Sequence, residues 1–239
     1  METLLPVAAV ILFGSLVQGY AGFGFGLITV PLLTFFLSPS LVVPLVALCG
    51  QIVNTILYIQ MRGKADRTAV IPLLAGALIG LAPGLSLFHY ADERVIRMIL
   101  SFLLVGYAAY RLFMKRVILS PGTAWGVAAG IASGILGAGM STNGPPAIIY
   151  VTLHDRGKEI VKATLASYFF FAGIIVIVAH AATGATTGAV IDQFLVAIPL
   201  VIFGTGLGAT LFALSGARSY EKAVYVLILL MGAAIFPWG

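Results

Sequence analysis

Two glycine-rich stretches carry the residue types best suited to chemistry, and that chemistry is anion binding by bare backbone amides. The first is QGYAGFGFG at residues 18–26, running on through LITV to Pro31. The second passes from Gly134 through Gly137 and Gly139 to Ser141, Thr142, Asn143, Gly144 and Pro146. Gly19 and Gly134 are 115 residues apart, and the pairs Gly22/Gly137, Gly24/Gly139 and Pro31/Pro146 keep that offset. Each stretch interrupts an apolar run. A break of this kind leaves free N–H groups at the start of the next helix, where the dipole favours negative charge. Glycine also lets a ligand approach the backbone closely.

The candidate binding residues are therefore Gly22, Gly24, Gly26, Gly137, Gly139 and Gly144, with Ser141, Thr142 and Asn143 just ahead of the second helix start. Hydroxyl and amide groups there can cap the helix or donate to a ligand. Gln51 and Asn54 join the set. With Tyr58 they recur at i, i+3 and i+7 on one helix face. Amides inside a span are costly toward lipid, so that face is expected to look inward. Gln18 and Ser133 are further polar groups beside the breaks. Thr164, Ser167 and Tyr168 are the nearest second-half counterparts of the Gln51 face.

Each feature has a plainer structural reading. Small residues let membrane helices touch, and that is the expected role of Gly76, Gly80, Gly204 and Gly208. The polar face of Gln51 and Asn54 can glue helices together. Cys49 reads as a small apolar filler. His89, His154 and His180 stand near the ends of spans and read as interfacial. Pro72 and Pro199, each in an Ile-Pro-Leu context, read as matched bends.

The chain that must position these residues is 61% hydrophobic and 9% charged over 239 residues, with a mean hydropathy of +1.11. Soluble domains carry about 25% charge, so the chain is expected to be an all-α polytopic membrane protein. Its start, Met1-Glu2-Thr3, lacks the basic region of a signal peptide, so the first helix is kept as part of the fold. One cysteine excludes an intramolecular disulfide framework and a cysteine metal cage. The basic residues sit in short loops and report orientation, not nucleic-acid binding. No acidic residue falls in the middle of a span, which argues against a carboxylate proton relay or a carboxylate sodium site. Sodium held by backbone carbonyls stays open. No Ser/His/Asp set, metal spacing or phosphate loop supports an enzyme, and no cofactor is implied.

A full crossing takes about 20 residues. Residues 4–37 and 123–153 are each too short for two crossings plus a turn, so each is expected to be a re-entrant broken-helix hairpin. In the first, 4–17 descends, 18–26 turns and 27–37 returns. Spans follow at 41–61, 69–88 and 94–114, then at 160–182, 190–214 and 220–238. The connector 115–122 separates a first repeat, 1–116, from a second, 117–239. Three crossings per repeat is odd, so the two repeats are expected to be inverted, with the hairpin tips meeting near the midplane. The Ile-Pro-Leu match at an offset of 127 (72 to 199) implies about a dozen extra residues in the second half.

Charge supports that parity. With the N-terminus outside, Arg62, Lys64, Arg67, Arg111, Lys115, Arg116, Arg156, Lys158, Lys162, Arg218 and Lys222 face the cytoplasm, and only Arg94 and Arg97 fall outside. Both termini are then expected to be periplasmic or extracellular.

Residues 18–33 resemble the first motif of the TauE/SafE sulfite exporter family, and residues 133–150 are similar to its second-half motif. The basic loop after the third element and the charged helix starts at 90–97 and 216–222 fit as well, so the likeness covers essentially the whole chain. It implies a permease of the bacterial inner membrane that moves sulfite, sulfonates or sulfoacetate. What carries over residue by residue is Gly22, Gly24, Gly26, Gly137, Gly139 and the Asn143-Gly144-Pro145 step. Many relatives continue with glycine where this chain has Met140-Ser141-Thr142. The expected function is alternating-access transport of such an anion, with a co-transported proton or sodium left open. An anion channel, or a membrane-embedded enzyme or assembly partner, is the alternative. The glycine faces allow a homodimer.

Overall fold

The computed structural model describes residues 4–113, 121–154 and 156–214, together with residues 226, 229, 232, 233 and 236. Most of the expected last span at 220–238, most of the connector 115–122 and the basic residues Lys115, Arg116, Arg218 and Lys222 lie outside the described residues, as do the side chains of Arg111 and Lys158.

Among the described residues the elements are α1 (Leu4–Ala21), α2 (Phe25–Leu33), α3 (Pro39–Met61), α4 (Arg67–Tyr90), α5 (Glu93–Phe113), α6 (Thr123–Met140), α7 (Gly144–Thr152), α8 (Lys158–Ala182) and α9 (Gly188–Leu214). Five of them, α3, α4, α6, α8 and α9, are long and apolar enough to cross a membrane. Exposed faces such as Leu78 and Ile79 on α4 and Leu195, Ile202 and Phe203 on α9 suit hydrocarbon, not water.

The first break falls within its glycine cluster and the second on Ser141-Thr142-Asn143, just past the glycines of α6, and both are shorter than expected. α1 continues four residues beyond 17, to Ala21, and only residues 22–24 are non-helical. Gly22 (φ +83°) and Gly24 (φ +111°) take up the left-handed backbone. The Gly22 N–H closes the last turn of α1 on the Gln18 carbonyl at 2.7 Å. At the second break the left-handed residue is Ser141 (φ 50°), whose N–H donates to the Gly137 carbonyl at 2.9 Å. A non-glycine residue pays about 1–2 kcal/mol for this conformation. Its hydroxyl, donating to the Val43 carbonyl of α3 at 2.7 Å, helps hold it there.

Helix lengths correct the register read from the glycines. α1 and α6 have 18 residues each, and α2 and α7 have nine. Leu4 and Thr123 open the first pair and Phe25 and Gly144 the second, 119 residues apart in both cases. The sequence offset of 115 is thus short by four residues. Four residues is one helical turn, and a shift of one turn returns small residues to the same face, so a glycine pattern barely resists it. Pro72 and Pro199 both lie inside helices, α4 and α9. A Cβ on Gly80 would meet the Ile131 carbonyl and one on Gly204 the Leu12 carbonyl. Gly84 and Gly208 would likewise meet Ile135 and Leu16. These pairs correspond at an offset of 124 (80 to 204, 84 to 208), not the 127 of the prolines. From the 119 residues of the helix starts to this 124 the spacing grows by five residues.

Those contacts are the main joints of the fold. α4 packs on α6, α1 packs on α9, and α3 packs on α8 between them. On α4, Gly76, Gly80 and Gly84 meet the α6 backbone in ascending order, and Gly204 and Gly208 of α9 meet α1 in the same sense. Both pairs therefore run parallel, with backbones in direct contact, as small residues allow.

One end of the bundle is fastened by charge. Arg156 pairs with Asp66, and Lys64 with Glu159 at 2.9 Å, joining the loop after α3 to the loop before α8. Asp66 also caps α4, accepting from the Thr68 N–H at 2.8 Å. Burial pushes its pKa up, but the Thr68 bonds and the Arg156 guanidinium outweigh that and hold it below the usual carboxylate range. A lowered folded-state pKa means stability that is present at neutral pH and lost as pH falls through that pKa. Asp66→Ala is expected to cost about 1 kcal/mol at pH 7, the worth of a helix cap. Thermal melts should show the gap between variant and wild type closing on acidification; a gap independent of pH would contradict the assignment.

Candidate functional site

The two breaks meet. A Cβ on Gly26 would land on the Ser141 carbonyl, and Leu27 lies against Gly144. Between them is a cavity with about 60 Å³ open to the centre of a water molecule. One water needs roughly 10–15 Å³ on that measure, so the space suits several waters or a small oxyanion.

Of the residues singled out by sequence, Gly24, Gly26, Asn54, Gly137, Ser141, Thr142, Asn143 and Gly144 line this cavity. Gly22, Gln51 and Gly139 do not. Gly22 packs on the Lys162 side chain, and Gly139 faces Leu87 and Gly84 of α4. Gln51 donates to the Phe170 carbonyl at 3.2 Å, tying α3 to α8. Asn54 also donates to α8, at the Phe169 carbonyl (3.4 Å), but unlike Gln51 it lines the cavity.

Gln18 organises the first half of the site. Its Oε1 accepts from the Phe25 N–H at 2.8 Å, and its Nε2 donates to Asn54 Oδ1 at 2.6 Å. The first N–H of α2 is therefore taken. The next two, on Gly26 and Leu27, have no intrahelical acceptor, and both residues line the cavity.

The second half is built differently. Pro145 and Pro146 occupy the second and third positions of α7 and carry no N–H. The expectation of two matching rows of backbone donors therefore fails, leaving Gly144 as the backbone donor of that turn. Side chains replace the rest. Thr142, 1% exposed, has no hydrogen-bond partner for its Oγ1 among the described residues. Asn143 is positioned through its carbonyl, which accepts from Ser133 Oγ, and Ser133 in turn accepts from the Tyr168 hydroxyl at 2.7 Å. Thr164 lies elsewhere, accepting from the Asp66 N–H at 3.0 Å.

α3 and α8 line the cavity at mid-length, through Val46, Ala47, Gly50 and Asn54 on one and Phe169, Gly173 and Val176 on the other. No acidic or basic side chain lines it. Polar donors without a carboxylate suit a negatively charged guest. Gly50 and Gly173 had no distinguishing sequence signal, because their role is only to leave room. Cys49 is buried against the core, as a filler should be.

Two basic residues differ from expectation. Lys162 is not a solvated loop charge; it is buried near the start of α8, and its Nζ donates to the Gly19 and Tyr20 carbonyls at 3.2 Å each. His180, in the last turn of α8, is not solvent-exposed; it is buried with Nε2 at 2.8 Å from the Ala138 carbonyl.

Among the described residues, long apolar helices bundled around a small polar cavity define a multi-pass membrane protein. The chain matches the sulfite exporter TauE/SafE family over residues 7–235 and belongs to it. No curated protein and no solved structure matches the chain.

Proposed function

We propose that this protein is a secondary transporter of small sulfur-containing anions, of the sulfite, sulfonate or sulfoacetate class. The anion binds in the cavity between the two breaks and crosses by alternating access of one half against the other. The two halves are inverted repeats, 1–116 and 117–239, each a broken-helix hairpin with further spans. Equal helices 119 residues apart support this, as does the exchange of partners in which α1 packs on α9 and α6 on α4. α3 and α4 run in opposite directions along the bundle, as do α8 and α9, and α3 and α8 cross antiparallel. Parallel packing of α1 on α9 and α6 on α4 then brings the hairpins in from opposite ends, with the site near the midplane. The family and the basic loops support placement in the bacterial inner membrane with both termini outside.

The observation that carries this reading is the Thr142 hydroxyl, buried and without a partner at a cavity that holds no charge of its own. A buried polar group left unpaired costs about 1–3 kcal/mol, and an oxyanion would satisfy it. The test is thermal stabilisation of purified protein by sulfite, sulfate and methanesulfonate, with neutral dimethyl sulfone as control. At least one of the anions should raise the melting temperature and the sulfone should not. Thr142→Val is expected to match or exceed the wild-type stability without ligand while losing about 10-fold in anion affinity, a hydrogen bond to a charged group. Stabilisation by no anion, or by the sulfone equally, would remove the reading.

A further inference from the structure

The cavity has a feature of the wrong sign. α1 and α6 both end at it, and the C-terminal end of a helix is negative, which repels an anion. The carbonyls of Gln18 and Gly137 are already taken by the N–H groups of Gly22 and Ser141. The next in line are those of Gly19 and Ala138, each two residues before the last of its helix. Both are covered by a basic side chain of α8. Lys162 Nζ donates to Gly19 and Tyr20, with the Phe212 ring centroid 3.8 Å from it. His180 Nε2 covers Ala138.

We propose that Lys162 and His180 are matched electrostatic caps that cancel the negative ends of α1 and α6 and so permit an anion between the breaks. They are positioning residues that act through backbone and do not line the cavity. Lys162 carries the larger share. It is 7% exposed, and no carboxylate lies within ion-pair distance among the described residues. A buried cation without a counter-charge is costly to fold. Two carbonyls and an aromatic face are modest compensation, and a bound anion would supply the missing charge. The inference rests on the anion reading of the cavity.

Seven residues of helix separate Lys162 from the cavity-lining Phe169, about 10 Å at 1.5 Å per residue. At that distance and an effective dielectric near 20, one unit charge is worth about a 10-fold change in affinity per unit of ligand charge. Lys162→Met is therefore expected to weaken methanesulfonate about 10-fold and sulfate, already a dianion at neutral pH, about 100-fold. Lys162→Arg, which can still reach both carbonyls, should recover most of the loss. His180→Leu should lose about threefold, the scale of one dipole contact. The decisive readout is the ratio of the two losses: a charge acting through space costs the dianion about the square of the monoanion's factor. A merely structural lysine would cost both anions equally.

Unchanged anion affinity in Lys162→Met, or equal losses for both anions, overturns the inference alone. Failure of every anion to stabilise the wild type overturns the reading of the cavity, and the inference with it.

Discussion

Alanine at Gly26 is expected to abolish anion-dependent stabilisation and transport while the protein still inserts into the membrane. The added methyl would land on the Ser141 carbonyl, a backbone atom of the opposite break with no rotamer to escape into. Ser141 cannot easily yield, because its hydroxyl is bonded to Val43 and its N–H to Gly137. The breaks must separate, and the Gly26 and Leu27 N–H groups move away from Thr142 and Asn143. Overpacking of this kind costs about 1–3 kcal/mol, enough to lower the melting temperature without preventing assembly. Gly106→Ala is the control, since nothing lies within 4 Å of the methyl it would add. Transport and anion titration of both variants decide the matter. Wild-type behaviour of Gly26→Ala would mean that the contact between breaks is irrelevant to function.

Glutamate at Gln18 is expected to eliminate anion binding at neutral pH by a different route. A carboxylate can still accept from the Phe25 N–H, and it sits at the positive end of α2, so the fold should survive. The donor to Asn54 is lost, and a negative charge stands at the rim of the cavity. Two like charges about 4–6 Å apart at an effective dielectric near 20 repel by about 3–4 kcal/mol, a loss of roughly 100- to 1,000-fold. Protonating the carboxyl removes that repulsion, so affinity should return as the pH is lowered. Isothermal titration across pH tests this directly. Tight binding at pH 8 would show that the anion does not sit beside Gln18.

Much of this arrangement was legible in the chain. Glycine at positions 22 and 24 announces a backbone that other residues rarely adopt, and both have positive φ. Gly76, Gly80, Gly204 and Gly208 announced backbone-to-backbone packing and make it. The proline pair at 145 and 146 was equally visible. It already denied α7 the row of N–H donors expected by analogy with α2, because a missing donor is a property of the residue and not of the fold.

Other features had no sequence signal of their own. Lys162 is the fifth residue of α8, close to the loop charges, and only the approach of α1 turns it from a solvated cation into a buried cap. Gln18 and Asn54 are 36 residues apart and meet because α1 and α3 pack side by side. The register of the halves needed helix ends in space, since a glycine pattern is nearly blind to a shift of one turn.

Composition and glycine spacing by themselves determined that the chain is a membrane bundle broken twice, because local backbone geometry and burial in hydrocarbon are set residue by residue. Which donors face the cavity, and which charges stand behind them, was decided only by tertiary structure. Those depend on which carbonyl a side chain reaches once distant helices touch.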